Sequence, residues 1–148
     1  MKFKKVSLEQ FVKDYIKANN IYPPSVDDDM LLDIREIYSK IKLPERATKG
    51  SAGYDFFIPY TVNFSHVTGP VTIPTGIRFQ CDEDKYLMLV PRSGCGFKHG
   101  LRLRDTVHIC DFTMSETGII VCLQCEEPFT LQAGDEFLTG IVSSFEKI

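Results

Sequence analysis

From Lys42 onward the sequence breaks into short runs rich in β-branched and aromatic residues, each closed by Gly, Pro, Asp or Ser, and few folds accept that texture. The runs are 54–58, 71–73, 77–79, 86–90, 101–103, 107–110, 119–123, 129–131 and 137–142. Stretches this short, with no helical segments between them to serve as crossovers, predict an antiparallel sandwich or jelly roll rather than a βαβ sheet. The texture ahead of Lys42 is different. Ser7-Leu8-Glu9-Gln10 has the form of a capping box, and Leu8, Phe11, Val12, Tyr15 and Ile16 recur at helical spacing, so a helix is predicted over 7–19. Asn19-Asn20 and Pro23-Pro24 end it. Ser25 with Asp28 then signals a second start, and Asp27, Asp28 and Asp29 suit the positive end of a helix carrying Leu31, Leu32, Ile34, Ile37, Tyr38 and Ile41. The expected organisation is mainly β and a single domain overall, with residues 1–41 as an N-terminal helical extension and 42–148 as the β domain. The two helices are expected to pack on the outside of that domain or on a neighbouring subunit.

At 148 residues, 43% hydrophobic and 25% charged, the chain is long enough for one sizeable core and has the composition of an ordinary globular protein. A net charge of −3 argues against a general nucleic-acid coat, which needs a dominant basic face. No apolar run approaches a membrane span, and the opening MKFKKVSLEQF lacks the apolar centre of a secretion signal, so a soluble cytoplasmic protein with no membrane partner is expected. Five cysteines, Cys81, Cys95, Cys110, Cys122 and Cys125, fit a reducing compartment better than a disulfide frame. Cys122 and Cys125 have metal-ligand spacing, but there is no second pair, and buried or edge thiols are the favoured reading.

The residues that carry chemistry concentrate in 89–111, LVPRSGCGFKHGLRLRDTVHICD. An apolar strand breaks at Pro91 into Arg92-Ser93-Gly94, a basic glycine-bearing turn that reads as an anion cradle. Arg92 offers a planar fork to phosphate oxygens, Ser93 a hydroxyl donor, and Gly94 close approach to backbone N–H groups. At the far end Val107-His108-Ile109-Cys110 leads to Asp111, a lone carboxylate at the tip of a strand. A carboxylate facing a phosphate cradle suggests an activated water. Two further stretches, 47–55 with Asp55 and 133–141 with Thr139, read by themselves as turns leading into strands.

Together these pieces resemble the trimeric dUTP diphosphatase (dUTPase) family. Residues 44–55 look like its first motif, Pro91-Arg92-Ser93-Gly94 its second, the apolar run ending in Asp111 its third, and 134–141 its fourth; the resemblance spans 43–141. It implies a distorted jelly roll assembling as a homotrimer with each site built from more than one chain. By the same resemblance Asp111 orients and deprotonates the attacking water, and Arg92, Ser93 and Gly94 hold the α- and β-phosphates from the neighbouring subunit. The hairpin bearing Asp105, His108, Ile109 and Cys110 grips uracil by its backbone, and Asp55 and Thr139 support the phosphate end. The implied activity is hydrolysis of dUTP to dUMP and pyrophosphate with Mg²⁺ held by the substrate's phosphates and water rather than by the protein. The helical preface and the PRSG-C-GFK variant are similar to dUTPases of Gram-positive bacteria and their phages.

The departures from the family pattern carry expectations too. Asp105 stands where the family has Asn, and His108 where it has Gly. An ionised Asp only accepts hydrogen bonds, so against a base it sits badly beside uracil's carbonyl oxygen and better beside cytosine's amino group. The sugar-packing Tyr of the family is replaced by Phe112 or Met114, and a family Gln by Thr139. The sequence stops at Ile148 without the glycine-rich tail that covers the substrate in the family, which predicts weakened turnover. Two rival readings follow: a weak or inactive relative that binds a nucleotide or a protein partner in a regulatory role, and a dCTP-directed relative. Of the histidines, His66, His99 and His108, only His99, beside Lys98 and the cradle, is a candidate for a catalytic test.

Overall fold

In the computed structural model, which describes residues 1–22, 26–66 and 69–148, eleven strands and three α-helices follow the order foreshadowed by the run pattern. The N-terminal part comprises β1 (Lys2–Lys5), α1 (Leu8–Ala18) and α2 (Asp28–Ser39). The β body comprises β2 (Tyr54–Phe57), β3 (Val62–Asn63), β4 (Val71–Pro74), β5 (Ile77–Gln80), β6 (Lys85–Pro91), β7 (Leu101–Leu103), β8 (His108–Asp111), β9 (Ile120–Cys125), β10 (Thr130–Leu131) and β11 (Glu136–Ser144), with α3 (Ser93–His99) inserted after β6. All strand pairings are antiparallel. A four-stranded sheet runs β2-β11-β6-β8, a three-stranded sheet β4-β9-β7, and two ribbons pair β1 with β5 and β10 with β3. This is a mainly β, distorted jelly roll.

Period-2 alternation places the core. Leu87 and Leu89 of β6, Cys110 of β8, Phe56 of β2, and Val121 and Leu123 of β9 point inward and are buried, while Met88, Val90 and Ile109 lie on the opposite face of their sheet. Where β11 crosses between Phe56 and Leu87 only a glycine fits. A Cβ on Gly140 would lie 2.8 Å from a Phe56 ring carbon and 2.9 Å from a Leu87 methyl.

Helix α1 is capped as its sequence predicts, with Ser7 Oγ accepting from Gln10 N at 3.1 Å. It buries Phe11 completely, and Phe11 packs near Tyr38 of α2. The cap of α2 is Asp27, whose carboxylate accepts from Met30 N at 2.9 Å. Ser25, expected as the start signal, and Pro23-Pro24 lie outside the described residues in the sequence. The lysine-rich strand β1 pairs along β5, from Lys2 opposite Gln80 to Lys5 opposite Ile77, and inserts Phe3 against Phe56 and Phe79. Among the described residues no helix is long and apolar enough to cross a membrane.

Candidate functional site

The anion cradle foreseen after Pro91 is the start of a helix. Arg92 N donates to Phe137 O at 2.9 Å, tying the end of β6 to β11, and Arg92 O accepts from Cys95 N and Gly96 N at 3.0 and 2.9 Å. Arg92 is thus the N-cap of α3, and Gly100, with φ of 67°, closes the helix in the left-handed conformation. The expectation of a basic glycine-bearing turn is corrected to a short helix: buried Cys95 anchors the segment, and two weak helix formers, Gly94 and Gly96, are carried by that packing. Ser93 is exposed in the first turn and Gly94 half-buried, and the amides there precede the first intrahelical acceptor.

Arg92 borders a cavity of about 550 Å³ shared with Gly94, Lys98, His99, Lys42, Asp135 and Glu136. One guanidinium nitrogen of Arg92 sits 2.9 Å from Glu136 Oε2, with the arginine side chain 47% exposed. Lys42 stands over the ring of Phe57, 4.6 Å from its centroid. His99 reaches the cavity, as its position after Lys98 suggests, but its ring lies flat on Phe129 with centroids 3.9 Å apart. Register brings the other expected supports close: Asp55 of β2 is opposite Thr139 of β11, which is opposite Val90 of β6, two residues before Arg92. Asp55 and Thr139 are half-buried on one face of that sheet.

Asp111 lies at the other end of the same strand. It pairs with Tyr86 near the start of β6, so along the strand it is about 20 Å from Arg92. Its Oδ1 accepts from Thr113 N at 3.0 Å and Thr113 Oγ1 at 2.6 Å, capping the 3₁₀ turn Phe112–Met114. That bond pair fixes the plane of the carboxylate. Asp111 borders a small cavity of about 210 Å³ with Phe112, Thr113, Phe145, Glu83 and Lys147. Of the two residues expected as a sugar platform, Phe112 is exposed and Met114 packs against the core.

Between these ends the chain turns from β7 to β8, and the expected hairpin is open, since β7 pairs with β9 and β8 with β6 rather than with each other. Its tip residue Thr106 has φ of 70°, and Thr106 N and Val107 N donate to Leu103 O and Asp105 O at 3.0 and 2.8 Å. Asp105 Oδ2 lies 2.8 Å from His108 Nδ1. The strand's alternation separates the four expected hairpin residues: His108, opposite Leu89, and Cys110, opposite Leu87, face inward, whereas Ile109, opposite Met88, faces outward with Asp111. Cys110 therefore offers a ligand only its backbone. Burial, reinforced by neighbouring Asp111, pushes its thiol up to about 12. All five cysteines are free, and Cys125 Sγ donates to His99 O.

Arg92, Asp55 and Thr139 thus gather at one end of the protomer and Asp111 at the other. Sequence reasoning missed Lys42 and Glu136 as lining residues; the signal for Glu136 was its place directly after Gly134-Asp135, and Lys42 was read only as the boundary between the two textures. A model of the dUTPase family matches residues 39–141. The chain is 39% identical over 108 residues to a deoxyuridine 5'-triphosphate nucleotidohydrolase of Shewanella amazonensis, covering 71% of this chain and 70% of that protein. It is 37% identical, with the same coverage, to the enzyme of that name from Shewanella sediminis. Among solved structures, a dUTPase from Streptococcus mutans superposes with a TM-score of 0.63 at 27% identity, over 72% of this chain and 88% of that one. The fold is shared as well by the dUTPase of phage phi11 of S. aureus, with a TM-score of 0.62 at 17% identity over 72% and 85% of the two chains.

Proposed function

This chain belongs to the dUTPase family, and from that premise we propose that it hydrolyses dUTP to dUMP and pyrophosphate at sites shared between protomers of a homotrimer. The observation that carries the reading is the separation of Arg92 from Asp111 along β6. Each group sits in its own opening at an opposite end of the sheet, so a symmetric assembly that sets one protomer's Arg92 end against another's Asp111 end completes a site that neither chain holds alone.

In that site Asp111 is the base. Thr113 occupies Oδ1 through two hydrogen bonds, which leaves Oδ2 to take a proton from water as the water oxygen bonds to phosphorus. The P–O bond between the α- and β-phosphates breaks and pyrophosphate leaves with the electron pair. Arg92 exchanges Glu136 for phosphate oxygens, and Ser93 and Gly94 add donors beside it. Asp55 and Thr139 support the phosphate end from the adjoining strands. The hairpin residues Asp105, His108, Ile109 and Cys110 meet the base. Mg²⁺ is carried on the phosphates and water rather than by a protein cage, as suits a hard cation that keeps several of its waters. When bound, the ion neutralises charge on the phosphates. A cytoplasmic setting, and kinship with dUTPases of Gram-positive bacteria and their phages, belong to the same reading; the likeness to the Streptococcus mutans structure supports the kinship.

The test is pyrophosphate release from dUTP and Mg²⁺ by the purified protein and by Asp111→Asn. Removing a general base is expected to lower kcat by about 10²–10⁴-fold. Equal turnover by the two proteins overturns the assignment of the base, and nucleotide binding without turnover in the wild type favours the regulatory reading.

A further inference from the structure

We infer that Asp105 and His108 act together as a base-selecting pair that opens the hairpin to cytosine nucleotides as well as uracil nucleotides. The inference rests on reading that hairpin as the base-binding element. Its warrant is the inventory of donors and acceptors. A carboxylate only accepts, so the 2.8 Å contact from Asp105 Oδ2 requires the proton on His108 Nδ1. His108 Nε2 is buried with no hydrogen-bond partner among the described residues, so the ring's part is to hold Asp105 and not to meet a ligand itself. His108 and Asp105 border a cavity of about 260 Å³ with Arg104, Thr72 and Cys122.

This opening therefore offers an acceptor, the second oxygen of Asp105, held in place by His108, together with a strong donor, Arg104. Cytosine offers an amino group at C4 for the carboxylate and a carbonyl at C2 for a guanidinium. Uracil offers a single N–H between two carbonyl oxygens, so a carboxylate placed for the C4 substituent repels it. Aspartate accepting from the cytosine amino group is the pairing this chemistry favours in nucleic-acid readout too. Bound in this way, dCTP undergoes the same P–O cleavage and yields dCMP and pyrophosphate.

The alternative is that the pair merely braces the hairpin. Asp105→Asn separates the two, because the amide oxygen still accepts from His108 Nδ1–H while the amide nitrogen becomes a donor. Wild type and variant are assayed for pyrophosphate release from dCTP and from dUTP. Binding of the α,β-imido analogues of both nucleotides to the wild type is measured by calorimetry, so that the answer does not depend on the variant folding. The pair predicts binding and turnover of dCTP by the wild type, and a rise of at least about tenfold in the dUTP-to-dCTP ratio of kcat/KM on Asp105→Asn, with the melting temperature unchanged. A wild type that binds and hydrolyses dUTP but not dCTP, or a ratio unmoved by the substitution, overturns this inference and leaves the dUTPase reading intact. Failure to bind either analogue overturns both.

Discussion

The two ends of β6 solve different problems with the same strand. At the Pro91 end the backbone is fastened to β11, a short helix is launched, and a roomy opening collects Lys42, Arg92 and Lys98. At the Tyr86 end the opening is smaller, and Asp111 is held there by one threonine. On the proposed function the first end receives negative charge and the second directs one acid, and about 20 Å of sheet keeps them apart. On that proposal a protomer holds two half-sites. Between the ends the strand is inflexible because its inward residues, Leu87 and Leu89, are fully buried against Phe56 and Gly140.

The strongest way to break this comparison is subunit complementation. Arg92→Ala and Asp111→Asn are each expected to be inactive alone. Mixed and reassembled in equal amounts they are expected to regain activity, because about one site in four then joins an intact Arg92 end to an intact Asp111 end from different chains. If the mixture stays as inactive as its parents, the half-site account is wrong. A second test concerns the rigid middle. Gly140→Ala drives a methyl to 2.8 Å from Phe56 and 2.9 Å from Leu87, and is expected to cost about 1–3 kcal/mol in urea denaturation. An unchanged urea midpoint would show that β11 can yield and that the spacing between the ends is not fixed by the core.

The mildest test sharpens the contrast by pH. Cys110, inward beside Asp111, is held by burial and then by that acid at about 12 against an ordinary 9.0. Cys95, inward beside Arg92, is also raised by burial, but the guanidinium pulls the other way. A thiol that ionises later in the folded than in the unfolded chain contributes full stability below pH 9.0, and that contribution is lost progressively as pH rises toward about 12. Urea midpoints are therefore expected to fall over this alkaline window, less steeply in Cys110→Val, and Cys95→Val is expected to flatten the fall less. Parallel slopes in all three proteins would remove the thiols as the cause.

Much of this was legible because apolar alternation and caps are local signals. The strand runs and the Ser7 cap fell where the structure has them, and Arg92 lies at one end of β6 with Asp111 opposite the other. What escaped notice was set by tertiary partners. Helix α3 hides behind Pro91, Gly94 and Gly96, whose propensities point to a turn, and is secured by burial of Cys95. Strand β1 hides behind Lys2, Lys4 and Lys5, since its one inward anchor is Phe3 and its hydrogen bonds come from β5. Asp105 and His108 are three apart in sequence, but only the left-handed backbone at Thr106 turns them onto one another.

The pairing of β1 with β5 also bears on misassembly. Lys2–Lys5 finds its strand partner more than seventy residues along the sequence, at 77–80, while Tyr38, whose hydroxyl donates to Val6 O at 2.6 Å, is much nearer in the sequence. Until the distant partner is in place the segment carries an open edge, and its three lysines discourage that edge from joining a wrong strand.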